Sequence, residues 1–502
     1  MQLRPSQIPP EVVRVTEGLE KAGFEAWVVG GCVRDLLLGR TPKDWDVTTN
    51  ATPEEVQAAF PHTYYTNEFG TVGVVNDPPA GGQAIDESLK VIEVTPYRLE
   101  GKYSDARRPD SVQFSRHIED DLKRRDFTIN ALAYSPTKGH LPAGKAGLLD
   151  LYGGIKDMDA RLVRAVGDPK ERFEEDALRI MRAVRLCAEL DFALEPRTRA
   201  AMRDSAAQLG KISKERIRDE FVRILLSPNI KKALILSHEL GILQYIAPEL
   251  QEGIGIAQNQ AHSFDVFEHN LRTAQHAADK DWGFIIRLAG LFHDVGKPKA
   301  RRWSDDKKDW TFHGHEVVGT RMAKKILENL KFPRETIVKA TSLVRWHMFF
   351  SDPAVVTLSA VRRIVANVGK EHIWDLVNLR ICDRIGTGRP KEQPFRLRKY
   401  QAMIEQAMRD PISVGMLAID GRKVMALGEK PGPRIGWTLH ALLEEVLEDP
   451  AKNTAEYLEG RTGELLLMPD KELRTIGEEA KEIKALAEEA EIKDIQKKYF
   501  VN

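Results

Sequence analysis

Two aspartates separated by one residue, Asp44 and Asp46, are the first groups in this chain that could do chemistry. On an extended strand, side chains at i and i+2 share a face, so both carboxylates point the same way. Magnesium takes oxygen ligands and leaves positions for substrate phosphates, so such a pair suits metal-assisted phosphoryl or nucleotidyl transfer. A lone Asp-x-Asp is more often a solvated turn; the neighbours make this one specific. About 14 residues upstream, Gly30–Gly31 falls between a strand pattern and a helix pattern, where missing side chains let backbone N–H groups approach a phosphate. Arg34, one turn into that helix, can reach the same anion. Glu93, in a later strand pattern (VIEVT), is a candidate to complete the metal site or to deprotonate an attacking hydroxyl. Further on, DLKRRDFTINALA (121–133) offers Arg124 and Arg125 to a triphosphate and Asp126 as a carboxylate that could hold an arginine in place. Adjacent residues on one element diverge, so only one of the two arginines is expected to face the nucleotide.

Asp176 and Arg179 form a second candidate pair, on a helix predicted over 171–190. At i and i+3 they share a helix face. Cytosine and adenine each present an exocyclic amine donor beside a ring-nitrogen acceptor. A carboxylate accepts from the amine while a guanidinium donates to the ring nitrogen. Uracil and guanine invert that pattern and would leave both groups unpaired, at about 1–3 kcal/mol each. The same spacing also serves a plain helix-stabilising ion pair. Arg182 and Arg185 continue the face toward phosphate or primer.

Seven of the 13 histidines lie between 262 and 347: His262, His269, His276, His293, His313, His315 and His347. The informative cluster is His293–Asp294 followed by Gly296–Lys297, because imidazole with carboxylate suits borderline transition metals. Lys297 could stabilise charge on a phosphoryl group. His313, His315 and His347 could bind a second metal or a phosphate.

Elements must position these groups. Residues 11–22 read as an amphipathic helix, 26–29 as a strand, 32–38 as a short helix, and 44–48, 71–75 and 91–95 as further strands. Past Pro169 the pattern becomes helical, with 214–226 a clear helix and breaks near 249–262 and 386–395; 471–499 reads as a charged helix. The 502 residues are 42% hydrophobic and 30% charged, enough to bury several cores, which excludes wholesale disorder and fibrous architectures. Lys plus Arg and Asp plus Glu are both 75, so nucleic-acid binding must come from local basic patches. Apolar runs are far shorter than the roughly 18 residues of a membrane span, and the N-terminus lacks a signal peptide's apolar core. Three scattered cysteines and no CxxC exclude a disulfide framework and a zinc ribbon. The expectation is a cytoplasmic protein without a membrane or an obligate protein partner.

VVGGCVRDLLLGRTPKDWDVTTNATPEEV, GKYSDARRPDSVQF, DLKRRDFTINALAY and RFEEDALRIMRAVRL occur in that order, and together they resemble the class II tRNA nucleotidyltransferases, the CCA-adding enzymes and their bacterial poly(A) polymerase relatives. The resemblance spans roughly 10–250, with a weaker echo at 410–460. It implies an α+β chain: a polymerase-beta-like head with a mixed sheet (1–165), a helical neck for nucleobase recognition and RNA binding (166–255), an all-α domain (256–390) and a helical body and tail that grips tRNA (391–502). It implies that Asp44 and Asp46 hold Mg²⁺, that Gly31, Arg34 and either Arg124 or Arg125 contact the nucleotide, and that Asp176 and Arg179 read the base. ISKERI (212–217) matches a motif that braces the neck. Tyr103, Asp105, Arg107, Arg108 and Pro109 fill a region that C-only relatives shorten, which favours an enzyme that also adds A. GPRIG (432–436) could present backbone N–H groups to RNA or form a helix–helix turn.

The ordered set His269, His293–Asp294 and Asp383 resembles the HD phosphohydrolase domain and matches its ligands for a divalent transition metal or Mg²⁺. The implied activity is template-independent addition of CCA to the tRNA 3′ end from CTP and ATP, with a second phosphatase or cyclic phosphodiesterase activity. Alternatives are a poly(A) polymerase, an A-only or CC-only enzyme, and an HD phosphohydrolase whose head binds RNA.

Overall fold

The structure is a computed structural model that describes residues 3–66, 70–76, 86–101, 111–137, 147–259, 262–349 and 356–478. The 103–109 region, most of the loop expected between 76 and 90, and residues 479–499 of the charged helix lie outside the described residues. The chain divides into two compact units, Met1–Ile246 and Ala247–Asn502.

The head is built on β1 (Ala26–Val29), β2 (Asp46–Thr49), β3 (Thr63–Tyr65), β4 (Val72–Val75), β5 (Val91–Pro96), β6 (Arg98–Glu100), β7 (Val112–Phe114), β8 (Leu132–Tyr134) and β9 (Leu148–Asp150). Seven form one mixed sheet in the order β3-β4-β5-β2-β1-β8-β9, and β6 pairs with β7 as a separate hairpin. β2 lies antiparallel to β1 but parallel to β5, in a register that sets Asp46 directly beside Glu93. In-register partners on parallel strands share a face, so the pairing places the two carboxylates on one side of the sheet. Val28, Val47, Val72, Val74, Ile92 and Val94 are fully buried, and their removal from water fixes the registers.

The sheet feeds a helix at Gly31–Leu37, and Gly30 caps it with φ +90°, a conformation that a side chain would strain. Past the head, the helix expected over 171–190 is two helices, Pro169–Glu175 and Leu178–Leu190. Asp176 is extended, and its Oδ1 accepts the Leu178 N–H at 3.0 Å, as a capping aspartate does. Helical periodicity continues through the break, which is why the pattern hid it. Lys214–Leu225 is a helix as expected.

The second unit is largely helical. Val266–Asp279, Phe284–Phe292, His315–Asn329, Arg334–Trp346 and Ile373–Gly386 carry its histidine cluster. A β-hairpin, Arg302–Ser304 with Asp309–Thr311, interrupts them where the pattern reads as almost wholly helical. Gly296 lies where an added Cβ would sit 2.3 Å from the His315 carbonyl oxygen and 2.5 Å from the Gly319 nitrogen. Only glycine admits that crossing, which brings His315 against Asp294. In the C-terminal part, Ile419, Val424, Leu442, Val446, Leu458 and Leu465 form a separate small core. GPRIG begins the helix Pro433–Glu448, and Arg434 braces it on Glu429, Asp470 and the carbonyls of Leu466 and Met468.

Candidate functional site

The first unit holds an open cleft of about 730 Å³, lined by Gly30, Gly31, Arg34, Asp44, Asp46, Arg124, Arg125, Asp126, Asp176, Arg179, Arg182 and Arg185, among others. Ten lysine and arginine side chains line it against six carboxylates, an excess of positive charge suited to a polyphosphate. Asp44 lies in a bend just ahead of β2 rather than on the strand, and is exposed. Asp46 begins the strand. Its carboxyl is pushed up to about 6 by burial and by the negative charges of Glu93 and Asp44, partly offset by Arg125. Carboxylates that repel one another across an open cleft are a donor set for a hard cation, so these residues fit Mg²⁺.

Arg124 and Arg125 both line the cleft, against the expectation that one would turn away. The helix Ile118–Lys123 has ended, so the two are not on a regular element. Fully buried Asp121 takes Nε and Nη2 of Arg124 on Oδ1, at 2.9 and 2.6 Å. Its Oδ2 takes the same two nitrogens of Arg125, at 3.3 and 3.0 Å. Burial alone would raise the Asp121 carboxyl, but the charges and hydrogen bonds of the two arginines hold it below its ordinary value. The i,i+3 and i,i+4 spacing of Asp121 to these arginines was a readable signal.

Asp126 does hold an arginine. Its Oδ2 accepts from Arg182 Nε and lies 2.6 Å from Nη2, and Oδ1 accepts from Asn130 Nδ2 at 3.1 Å. Burial pushes this carboxyl up, and Arg182, Asn130 and Arg179 together hold it well below the usual range. Asn130 also accepts from Arg34 Nη1, so one asparagine ties Arg34 to this network.

Asp176 and Arg179 both face the cleft but do not pair. Arg179 Nη1 donates to Glu175 Oε2 at 2.5 Å and Nη2 to the Arg124 carbonyl at 3.1 Å. Asp176 Oδ2 accepts from Arg216 Nη2 at 2.9 Å. Arg216 belongs to the motif read as a neck brace; nothing in its local sequence pointed to Asp176. Arg185 lies in a buried ion pair 3.3 Å from Glu220, and burial lowers the arginine and raises the acid.

In the second unit, His269, His293, Asp294, Asp383, His315 and His347 converge. Asp294 is central. Its Oδ2 lies 3.1 Å from His269 Nε2, 3.3 Å from His293 Nε2 and 2.5 Å from Lys297 Nζ. Its Oδ1 lies 3.1 Å from His315 Nε2 and 3.5 Å from His347 Nε2, and is buried without a hydrogen bond. Asp383 Oδ1 lies 3.3 Å from His269 Nε2, and Arg380 donates to its other oxygen at 2.6 Å. The Nδ1 atoms of His293, His315 and His347 lie 2.9, 2.7 and 2.7 Å from the carbonyls of Gly290, Phe312 and Val344. A carbonyl only accepts, so each Nδ1 carries a proton and each Nε2 presents its binding position inward. Acceptors that face one another at these distances call for a cation between them, so the donor set fits one or two divalent metal ions.

Burial would lower His293, but Asp294 and Asp383 outweigh it and raise it to about 9, so a metal binding at its Nε2 would displace a proton; burial takes His347 down to about 4. His262 joins a converging group with His269 and Asp294, a position the sequence reading left unassigned. Burial and neighbouring Lys297 lower it to about 3. His313 is exposed at the cleft rim and belongs to none of the converging groups among the described residues.

The first site and its fold define a nucleotidyltransferase head, and the second is a histidine–aspartate cluster on the same chain whose donors could hold a metal ion. Comparison with known proteins agrees. Residues 26–164 match the Poly A polymerase head domain, 191–254 the probable RNA and SrmB-binding site of polymerase A, and 266–386 the HD domain. The CCA-adding enzyme of Lactobacillus helveticus is 32% identical over 446 residues, covering 89% of this chain and 94% of that protein. The A-adding tRNA nucleotidyltransferase of Deinococcus radiodurans is 33% identical over 443 residues, covering 84% and 91%. The crystal structure of the Bacillus stearothermophilus CCA-adding enzyme in complex with CTP is similar with a TM-score of 0.64 at 28% identity, covering 91% of this chain and 98% of that one. The chain belongs to the class II tRNA nucleotidyltransferase family and carries an HD domain. Both families are metal-dependent. Among the described residues no helix is long and apolar enough to cross a membrane.

Proposed function

We propose that this chain adds CCA to the 3′ end of tRNA from CTP and ATP, without a nucleic-acid template, in the cytoplasm. The carrying observation is the single cleft that holds Asp44 and Asp46 together with Arg124, Arg125, Asp176 and Arg179. Asp44 and Asp46 would hold Mg²⁺, with Glu93 beside them in register. Bound there, the metal supplies charge stabilisation at the α-phosphate and activation of the primer hydroxyl. The RNA 3′-hydroxyl oxygen bonds to the α-phosphorus, the bond to the bridging oxygen breaks, and pyrophosphate leaves; the hydroxyl proton passes to a base, for which Glu93 is the candidate. Arg124 and Arg125, held by Asp121, bind the triphosphate. Asp176 accepts from the base amine and Arg179 donates to the ring nitrogen. Gly30, Gly31 and Arg34 line the phosphate end, and Arg182 and Arg185 the RNA side. An Asp46→Asn variant tests the assignment: addition of both C and A is expected to be lost while tRNA binding remains. Retained addition would refute the site.

The histidine cluster favours a second reading, a metal-dependent phosphohydrolase. Its acceptor atoms gather around the two oxygens of Asp294, and Lys297 lies beside them with Nζ on Asp294 and on Gln258 Oε1 at 2.7 Å. The role we give it is removal of terminal or cyclic phosphate from RNA ends, which would leave a hydroxyl for the first site. His293→Ala is expected to abolish phosphatase activity and leave nucleotide addition unchanged.

A further inference from the structure

The cluster forms one wall of a cleft of about 580 Å³. That volume lies within the roughly 300–1,000 Å³ of small-molecule sites and far exceeds the needs of a single phosphate. The rest of its lining bears on what the cleft holds. It includes the hairpin residue Trp310. Its ring carries the Arg301 guanidinium at 3.5 Å, and its edge meets Trp303 at a centroid distance of 5.2 Å and an angle of 76°. An aromatic wall fixed in this way offers a base a stacking surface at little entropic cost. The lining also includes Arg384, which follows Asp383 on the helix Ile373–Gly386, and Arg389 just beyond that helix.

Arg380 is already committed to Asp383, but these two are not neutralised. Arg384 donates only its Nε, to the Lys391 carbonyl at 2.6 Å, and Arg389 is exposed. Neither has an ion-pair partner among the described residues. A phosphate bound at the histidine cluster alone would use neither the tryptophan nor these arginines.

We propose that this cleft selects a nucleotide carrying a second phosphate beyond the one at the ligand cluster, with its base against Trp310 and the second phosphate on Arg384 and Arg389. This rests on the phosphohydrolase reading of the cluster. A free nucleoside bisphosphate and a phosphorylated RNA end share that chemistry, and substrate choice separates them.

The test uses the full chain with added Mn²⁺ and three substrates: p-nitrophenyl phosphate, adenosine 3′,5′-bisphosphate and a hexaribonucleotide ending in a 3′-phosphate. The readout is kcat/KM for each nucleotide substrate divided by that for p-nitrophenyl phosphate. In the Arg384→Gln/Arg389→Gln double variant the ratio is expected to fall about tenfold or more, because charge-assisted hydrogen bonds to the second phosphate are lost. An unchanged ratio overturns the proposal. A larger ratio for the hexanucleotide than for the bisphosphate identifies an RNA end; the reverse identifies a free nucleotide.

If the wild type hydrolyses none of the three, the phosphohydrolase reading fails, and hydrogen exchange then judges the binding site by itself. Adenosine 3′,5′-bisphosphate is expected to protect peptides spanning 302–312 and 380–391, with protection lost in the double variant. No protection in the wild type overturns the site.

Discussion

Replacing Asp121 by Asn would separate the shape of the arginine bracket from its charge. Asp121 is fully buried and takes four guanidinium hydrogen bonds, two from each neighbouring arginine. Removing one partner of a buried ion pair costs about 3–5 kcal/mol. The Arg124 and Arg125 side chains are 19% and 17% exposed, so water recovers part of that, leaving about 2–4 kcal/mol. At about 2–4 °C per kcal/mol for a unit of this size, Tm of the first unit is expected to drop by about 4–16 °C.

Catalysis should fall with it. Two misaligned guanidinium groups forgo charge-assisted hydrogen bonds of about 1.5–3 kcal/mol, so kcat/KM for CTP is expected to fall about 10- to 150-fold. The pH dependence carries a sign. The folded-state value of Asp121 is depressed, so its contribution is present above the ordinary carboxylate value and is lost as pH falls through the folded one. The Tm deficit of the variant should therefore hold steady from pH 8 to about 5 and shrink only below about 4. Thermal melts across pH and primer extension with CTP read both effects. A variant with wild-type Tm and wild-type KM for CTP would refute the bracket.

Other outcomes follow from the same geometry. Arg216→Gln frees Asp176 Oδ2, and is expected to raise UTP incorporation relative to CTP by about tenfold, the scale of one misplaced base-reading contact; unchanged discrimination would make Arg216 a brace only. Asp126→Asn releases Arg182 and should lower Tm at pH 7, with the deficit shrinking only below about pH 4, since this carboxyl too is held low in the fold. A chelator followed by Mn²⁺, Ni²⁺ or Mg²⁺ should remove and restore any phosphatase activity, and Asp294→Asn should prevent restoration with every metal.

Much of the chemistry was readable because it sits on short, strongly patterned elements. β1, β2, β4 and β5 were legible as apolar runs, and the glycine pair and the Asp-x-Asp fixed where a phosphate and a metal could sit. The partnerships were not legible. Asp176 looked like a helix-face residue because apolar spacing runs straight through the break at 176–177; its capping of Leu178 was the overlooked cue. The pairing of Asp176 with Arg216 spans 40 residues and depends on how two helices pack, which local pattern does not encode. The strands β8 and β9, three residues each, are too short to show alternation, yet they complete the sheet beside β1. In the second unit the side chains that converge were legible as His and Asp in order. His262 was not, because seven residues before His269 and outside the helix Val266–Asp279 it shares no face with that histidine.

The most direct measurement is extension of a tRNA that lacks its last three nucleotides, with CTP alone, ATP alone and both together. The account expects two residues from CTP alone, none from ATP alone and a stop after CCA with both. Extension by a long A tail from ATP alone, or no addition of C under any condition, would contradict it.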